Sequence, residues 1–191
     1  GVYAQSKLDA EHALFSLRRR GFSVIALRKG SLYGFSPSMR WDLIINRVAL
    51  NGWLGRPLTL HEFGAVWRPI AHVQDAARAY LHLLDVPPAT LDGLTATNGT
   101  GASPPILNLV ERNARLSEMF LEIDAVLHRK LGRGIDLQHG SSALPQRTGR
   151  ISGESLRAIG WRPERSLHDG VTELIARLDA QEVPFPEEVL V

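Results

Sequence analysis

The 191-residue chain is 44% hydrophobic and 22% charged, which is enough apolar material for one substantial core and unlike the make-up of a disordered chain. A formal net charge of only +2 argues against a nucleic-acid partner, and the absence of cysteine excludes disulfides, thiolate nucleophiles and cysteine-ligated metals. No apolar run approaches the roughly 20 residues that cross a bilayer, so no membrane partner is expected, and a cysteine-free chain suits the cytoplasm.

Apolar Leu8, Ala13, Leu14 and Leu17 recur at helical spacing, which predicts a helix from Ala4 to Arg20 ended by Gly21. Arg18, Arg19 and Arg20 sit at its C-terminal end, where the helix dipole favours cations; a nucleic-acid patch is the alternative. Ser23 to Leu27 is a short β-branched run that reads as a buried strand. Helix, glycine and strand make one half of a βαβ unit, so a strand is expected ahead of the helix. A loop follows from Leu32 to Pro37, then a helix from Met39 to about Leu54 capped by Ser38.

Short strands are expected at Pro57 to His61 and at Trp67 to Ala71. Asp75 to Asp85 should be a helix with Ala76, Ala77, Tyr80, Leu81 and Leu84 on one side, stopped by Pro87 and Pro88. Residues 87–105, rich in Pro, Gly, Thr and Ala, read as a long surface loop. Beyond it come a strand at Ile106 to Val110, a helix at Leu116 to Leu131, a short strand at Ile135 to Leu137, and helices at Ser152 to Ile159 and Leu167 to Leu178. The acidic, proline-bearing tail is expected to be peripheral.

Tyr3-Ala4-Gln5-Ser6-Lys7 puts a phenol and an ammonium one turn apart on one helix face. A tyrosine ordinarily loses its proton at about pH 10. A neighbouring cation favours the phenolate, so that the phenol can exchange a proton with a substrate hydroxyl nearer neutrality. Loss of that proton lets the adjoining carbon release hydride. By itself the spacing is common and a weak signal, and an ordinary surface pair is its plainer explanation.

The motif does not stand by itself. Tyr3-x-x-x-Lys7 with Ala10-Glu11, a strand ending in Leu27-Arg28, and Tyr33-Gly34 resembles the extended short-chain dehydrogenase/reductase family. Trp67-Arg68-Pro69-Ile70-Ala71-His72-Val73-Gln74-Asp75, Leu107-Asn108-Leu109, Ile159-Gly160-Trp161-Arg162-Pro163 and Leu167-His168-Asp169-Gly170-Val171 resemble further landmarks in the family's order. The nearest members are NAD-dependent nucleotide-sugar epimerases and dehydratases.

The resemblance implies an α/β fold: the C-terminal part of a Rossmann-type doubly wound parallel sheet plus a smaller α/β substrate-binding domain. Residues 1–37 and 66–110 would belong to the NAD-binding domain, and residues 38–65 and 111–191 to the nucleotide-sugar domain. It further implies a C-terminal fragment, a nucleotide-sugar substrate, NAD as cofactor with NADP as the alternative, and a homodimeric whole protein. Tyr3 would be the acid/base and Lys7 would orient the cofactor, with Gly30 and Ser31 beside the nicotinamide and sugar. Many members carry Asn where this chain has Ser31. Asp42 and Leu43 would start the helix over the diphosphate, and Thr59, Leu60 and His61 would border the base.

His61 either stacks on the base or is a half-exposed strand histidine. Arg68 would grip the diphosphate, since a guanidinium fork matches phosphate oxygens; the alternative is a structural pair with Asp75. Arg147 would supply a second diphosphate arginine, with Arg150 as a neighbour. Lys29 faces either solvent or a charged substrate. His72 and Asp75 would fix the turn into the following helix, and no metal site is expected.

The glycine-rich phosphate cradle of dinucleotide-binding folds is missing; Gly99-Thr100-Gly101-Ala102-Ser103-Pro104 has proline where the last glycine should be. The 191 residues are therefore not expected to catalyse alone. Two other functions are open: a reductase or dehydrogenase of a small non-nucleotide substrate, and a cofactor-binding relative without chemistry.

Overall fold

The computed structural model describes residues 1–19, 21–61, 64–95, 105–140 and 148–184. In chain order these form α1 (Val2–Ser16), β1 (Ala26–Lys29), β2 (Ser31–Tyr33), α2 (Ile44–Leu54), β3 (Leu58–His61), β4 (Trp67–His72) and α3 (Val73–Asp85). There follow α4 (Pro88–Thr95), β5 (Ile106–Leu109), β6 (Arg112–Arg115), α5 (Leu116–Leu131), β7 (Leu137–Gly140), α6 (Glu154–Ala158) and α7 (Leu167–Asp179). The fold is mixed α/β with parallel pairings, as expected. β1 runs parallel to β5, β2 parallel to β4, and β3 parallel to β7, while β6 pairs antiparallel with β4.

Strand alternation on β4 separates two cores. Ile70 belongs to a large cluster with α2, α5 and α7, whereas its neighbour Ala71 belongs to a smaller one with α3, α6 and β5. Successive side chains of a strand point to opposite faces, so one strand serves both. The large cluster is built by helices that carry apolar residues at three- and four-residue spacing, such as Met119, Phe120, Ile123, Val126 and Leu127 of α5. Helix α7 begins with a reciprocal cap: the Asp169 amide donates to Ser166 Oγ at 3.2 Å, and the Ser166 amide donates to Asp169 Oδ2 at 3.1 Å.

Several expectations need correction. Residues 87–105 are not one long loop, because α4 starts at Pro88, where a proline's fixed φ and missing N–H suit the first helical turn. Residues 96–104 lie outside the described ones. On α3 the buried side is Asp75, Ala76, Ala79 and Leu83, and Tyr80, Leu81 and Leu84 are exposed. A stripe drawn through the apolar residues alone missed this, because buried Asp75 is satisfied by partners far along the chain. α2 starts at Ile44 with Leu43 as its N-cap, so Ser38 does not cap it. Strand β6 went unforeseen because its Arg-Asn-Ala-Arg sequence carries no apolar alternation.

Candidate active site

A cavity of about 610 Å³ opens between α1, the β1–β2 segment, the turn after β2 and the start of α2. Tyr3, Lys7, Gly30, Ser31 and Leu43 line it, joined by Arg28, Lys29 and Arg40. The Lys7 amine lies 5.5 Å from the centre of the Tyr3 ring, so the two side chains share a side of α1. Tyr3 is 76% exposed and no residue of α1 is buried. The helix is tied to β1 by a bidentate pair: Arg28 Nε donates to Glu11 Oε1 at 2.9 Å, and Nη2 donates to Oε2 at 2.6 Å. Tyr3, Lys7 and Glu11 follow one another at four-residue spacing, so the anchor continues the row that lines the cavity. The hydrogen bond from Arg28 holds the Glu11 carboxyl below its ordinary range.

The cavity floor is shaped by close approach of backbone. A Cβ on Gly30 would lie 2.8 Å from the Pro69 carbonyl oxygen, so β1 can turn into β2 here only with glycine. Gly34 follows β2 at φ +98°, and a Cβ there would strike the His72 ring. Asn46, buried on α2, accepts from the Gly34 amide at 3.0 Å and donates to the Arg40 carbonyl at 3.1 Å. That joins the turn after β2 to the residue-40 loop.

The second tyrosine of the cavity has a different environment. Tyr33 is buried, and its hydroxyl donates to Glu111. Burial, then the adjoining carboxylate, push its pKa far above the ordinary tyrosine value. Tyr33 is thus held as a neutral donor. Burial also raises the Glu111 carboxyl and lowers His72. His72 Nδ1 accepts from the Gln74 amide at 3.2 Å and caps α3. Asp75, fully buried, accepts from the amides of Glu164 at 3.1 Å and Arg165 at 3.0 Å and from Arg78 at 2.7 Å. Both residues therefore fix the entry to α3 and its junction with the segment before α7.

The remaining expected residues lie elsewhere. Asp42 is exposed and paired with Arg40 at 2.6 Å. Thr59, Leu60 and His61 are on β3, with Leu60 packed into the large core. Arg68, on β4, is not among the residues lining the cavity; its Nη1 donates to the Trp67 carbonyl at 3.1 Å. Asp75 pairs with Arg78 rather than with Arg68. Arg147 lies outside the described residues. Arg150 stacks on Trp67, its guanidinium carbon 3.9 Å from the ring centre, with Arg115 also over that ring at 5.1 Å. Arg40 and Asn46 received no role from the sequence, though the loop they join is marked by its position after Tyr33-Gly34. Among the described residues no group of three or more His, Asp or Glu side chains could hold a metal, and no helix is long and apolar enough to cross a membrane.

The model of the NAD dependent epimerase/dehydratase family matches residues 1–93. Among solved structures, UDP-glucose 4-epimerase of Thermus thermophilus, in complex with NAD, aligns with a TM-score of 0.69 at 20% identity over 93% of this chain and 53% of its own. The dTDP-glucose 4,6-dehydratase of Bacillus anthracis, also in complex with NAD, aligns with a TM-score of 0.67 at 19% identity over 95% of this chain and 53% of its own. RMD from Pseudomonas aeruginosa, complexed with NADPH, gives a TM-score of 0.70 at 21% identity over 94% and 56%. The chain thus spans about half the length of these structures, and at such identities the likeness establishes the Rossmann-type fold.

Proposed function

We propose that the chain is part of an NAD(P)-dependent enzyme that epimerises or dehydrates a nucleotide-activated sugar. The observation that carries this reading is the pairing of Tyr3 and Lys7 in one cavity with Gly30 and Ser31. Tyr3 takes the proton of a sugar hydroxyl and returns it later, while Lys7 would hold the cofactor through its ribose hydroxyls. The Lys7 amine suits that task because no described carboxylate pairs with it, and the Tyr3 ring centre stands 5.5 Å away. A bound nicotinamide supplies hydride acceptance and return at the sugar carbon. Ser31 offers the sugar a hydroxyl, and Leu43 covers the cavity from the start of α2.

Residues 1–37 and 66–110 form the cofactor side and residues 38–65 and 111–191 the substrate side. Thr59, Leu60 and His61 border the nucleotide base, Asp42 and Leu43 stand at the start of the helix over the diphosphate, and Arg68 and Arg147 grip it. The phosphate cradle, absent from these 191 residues, comes from another segment or chain, and the whole protein works as a cytoplasmic homodimer.

A second reading has one observation in its favour: Arg68 does not line the cavity that Tyr3 and Lys7 share. It makes the protein a reductase or dehydrogenase of a small non-nucleotide substrate. The whole protein, incubated with NAD or NADP and a panel of nucleotide sugars, should yield a C4 epimer or a 4-keto-6-deoxy product by NMR, and the 191 residues by themselves should yield none. Turnover of small hydroxy or keto substrates, with every nucleotide sugar inert, would establish the second reading instead.

A further inference from the structure

We propose that Lys29 is a ligand-binding cation of the active-site cavity, taking an oxyanion of the nucleotide-linked substrate; the inference rests on the reading above and adds a residue to it. Lys29 is the last residue of β1 and lines the cavity. In α/β folds ligands gather outside the carboxyl ends of parallel strands, and β1 and β5 end there together at Lys29 and Leu109.

The side chain is held in place. Its Nζ donates to the Tyr80 hydroxyl on α3 at 2.9 Å and stands 5.4 Å from the centre of that ring. A phenol fixes an ammonium without neutralising it. The other cavity cations are accounted for differently. Arg28 is paired with Glu11 and Arg40 with Asp42, whereas Lys7 faces the Tyr3 ring. Among the described residues, then, Lys7 and Lys29 are the cavity cations that meet no carboxylate. Two uncompensated ammonium groups in a partly walled space draw oxyanions to it. A lysine already held by an aromatic partner also has less side-chain freedom to lose on binding. If the Lys29–Tyr80 contact served only to clasp β1 to α3, an exposed neutral–cation hydrogen bond would be a weak clasp.

Two oxyanions of a nucleotide sugar fit this chemistry: the diphosphate, and a carboxylate borne by the sugar ring. Calorimetric titration at low salt with inorganic pyrophosphate, UDP-glucose and UDP-glucuronate separates them. Lys29→Gln is expected to weaken binding about tenfold or more, the scale of a lost charge-assisted hydrogen bond, and Lys29→Arg to restore most of it. Tyr80→Phe, which keeps the ring and removes the tether, should give a smaller loss. An equal loss for all three probes assigns the diphosphate, and a loss confined to UDP-glucuronate assigns the carboxylate. Lys29 and Tyr80 are both exposed, so melting temperatures should not move. Unchanged affinity of Lys29→Gln for every probe overturns the proposal, as does a wild-type protein that binds none of them. Pyrophosphate binding that depends on Lys29, with both nucleotide sugars unbound, would leave the oxyanion site standing and reject the nucleotide-sugar reading.

Discussion

Helices α1 and α5 are nearly equal in length, 15 and 16 residues, yet α5 buries six side chains and α1 buries none. On α5 the apolar residues fall at three- and four-residue steps and face α2 and α7. On α1 the apolar Val2, Leu8 and Leu14 are scattered and exposed, and the row that does repeat every four residues is Tyr3, Lys7 and Glu11. One helix therefore holds the molecule together, and the other, retained by an ion pair to β1, carries the tyrosine and lysine of the proposed acid/base pair. On the proposed function Tyr3 and Lys7 have to stay open to ligand, which an unburied helix allows.

The contrast can be broken at several points. The largest effect should come from Tyr3→Phe, which removes the proton acceptor. Turnover by the whole protein should fall roughly 10²–10⁴-fold while the thermal midpoint stays put. A parallel loss of stability would mean that α1 is structural after all. Next, Leu127→Ala on α5 should cost roughly 2–5 kcal/mol in denaturant unfolding, because it empties a fully buried site.

Glu11→Gln tests the tether, and the expected loss is roughly 1 kcal/mol or less because Arg28 is half exposed. The folded carboxyl of Glu11 is lowered chiefly by its hydrogen bond from Arg28, so its contribution is present above the unfolded glutamate value. It is lost as pH falls through the lowered folded value. Amide exchange on α1 should therefore speed up on acidification while α5 stays protected, and Glu11→Gln should abolish that difference. The smallest effect is expected from Leu14→Ala, within about 0.5 kcal/mol of wild type, since the side chain is 52% exposed.

How much could be read in advance varies with how local the cause is. Helix α5 was legible to the residue, because its apolar spacing and its terminal Gly132, at φ +68°, are local signals. Tyr3 and Lys7 were legible for the same reason: helical spacing alone puts them side by side. Strand β1 was expected three residues early, since the run Ser23 to Leu27 looks more β-like than Arg28-Lys29, and pairing with β5 decides the register. The burial of Asp75 was hidden because its partners Glu164 and Arg165 lie some ninety positions away.

The sequence by itself determined the alternation of helix and strand, the tyrosine–lysine row on α1 and the likeness to epimerases and dehydratases, because each depends on neighbours within a few residues. Only the tertiary structure decided that Lys29 and Arg40 join that row in one cavity, that Arg68 stays out of it, and that Tyr33 is a buried donor to Glu111. Those outcomes depend on strand pairing and on which charges end up facing one another, and these are set by contacts between residues far apart in the chain.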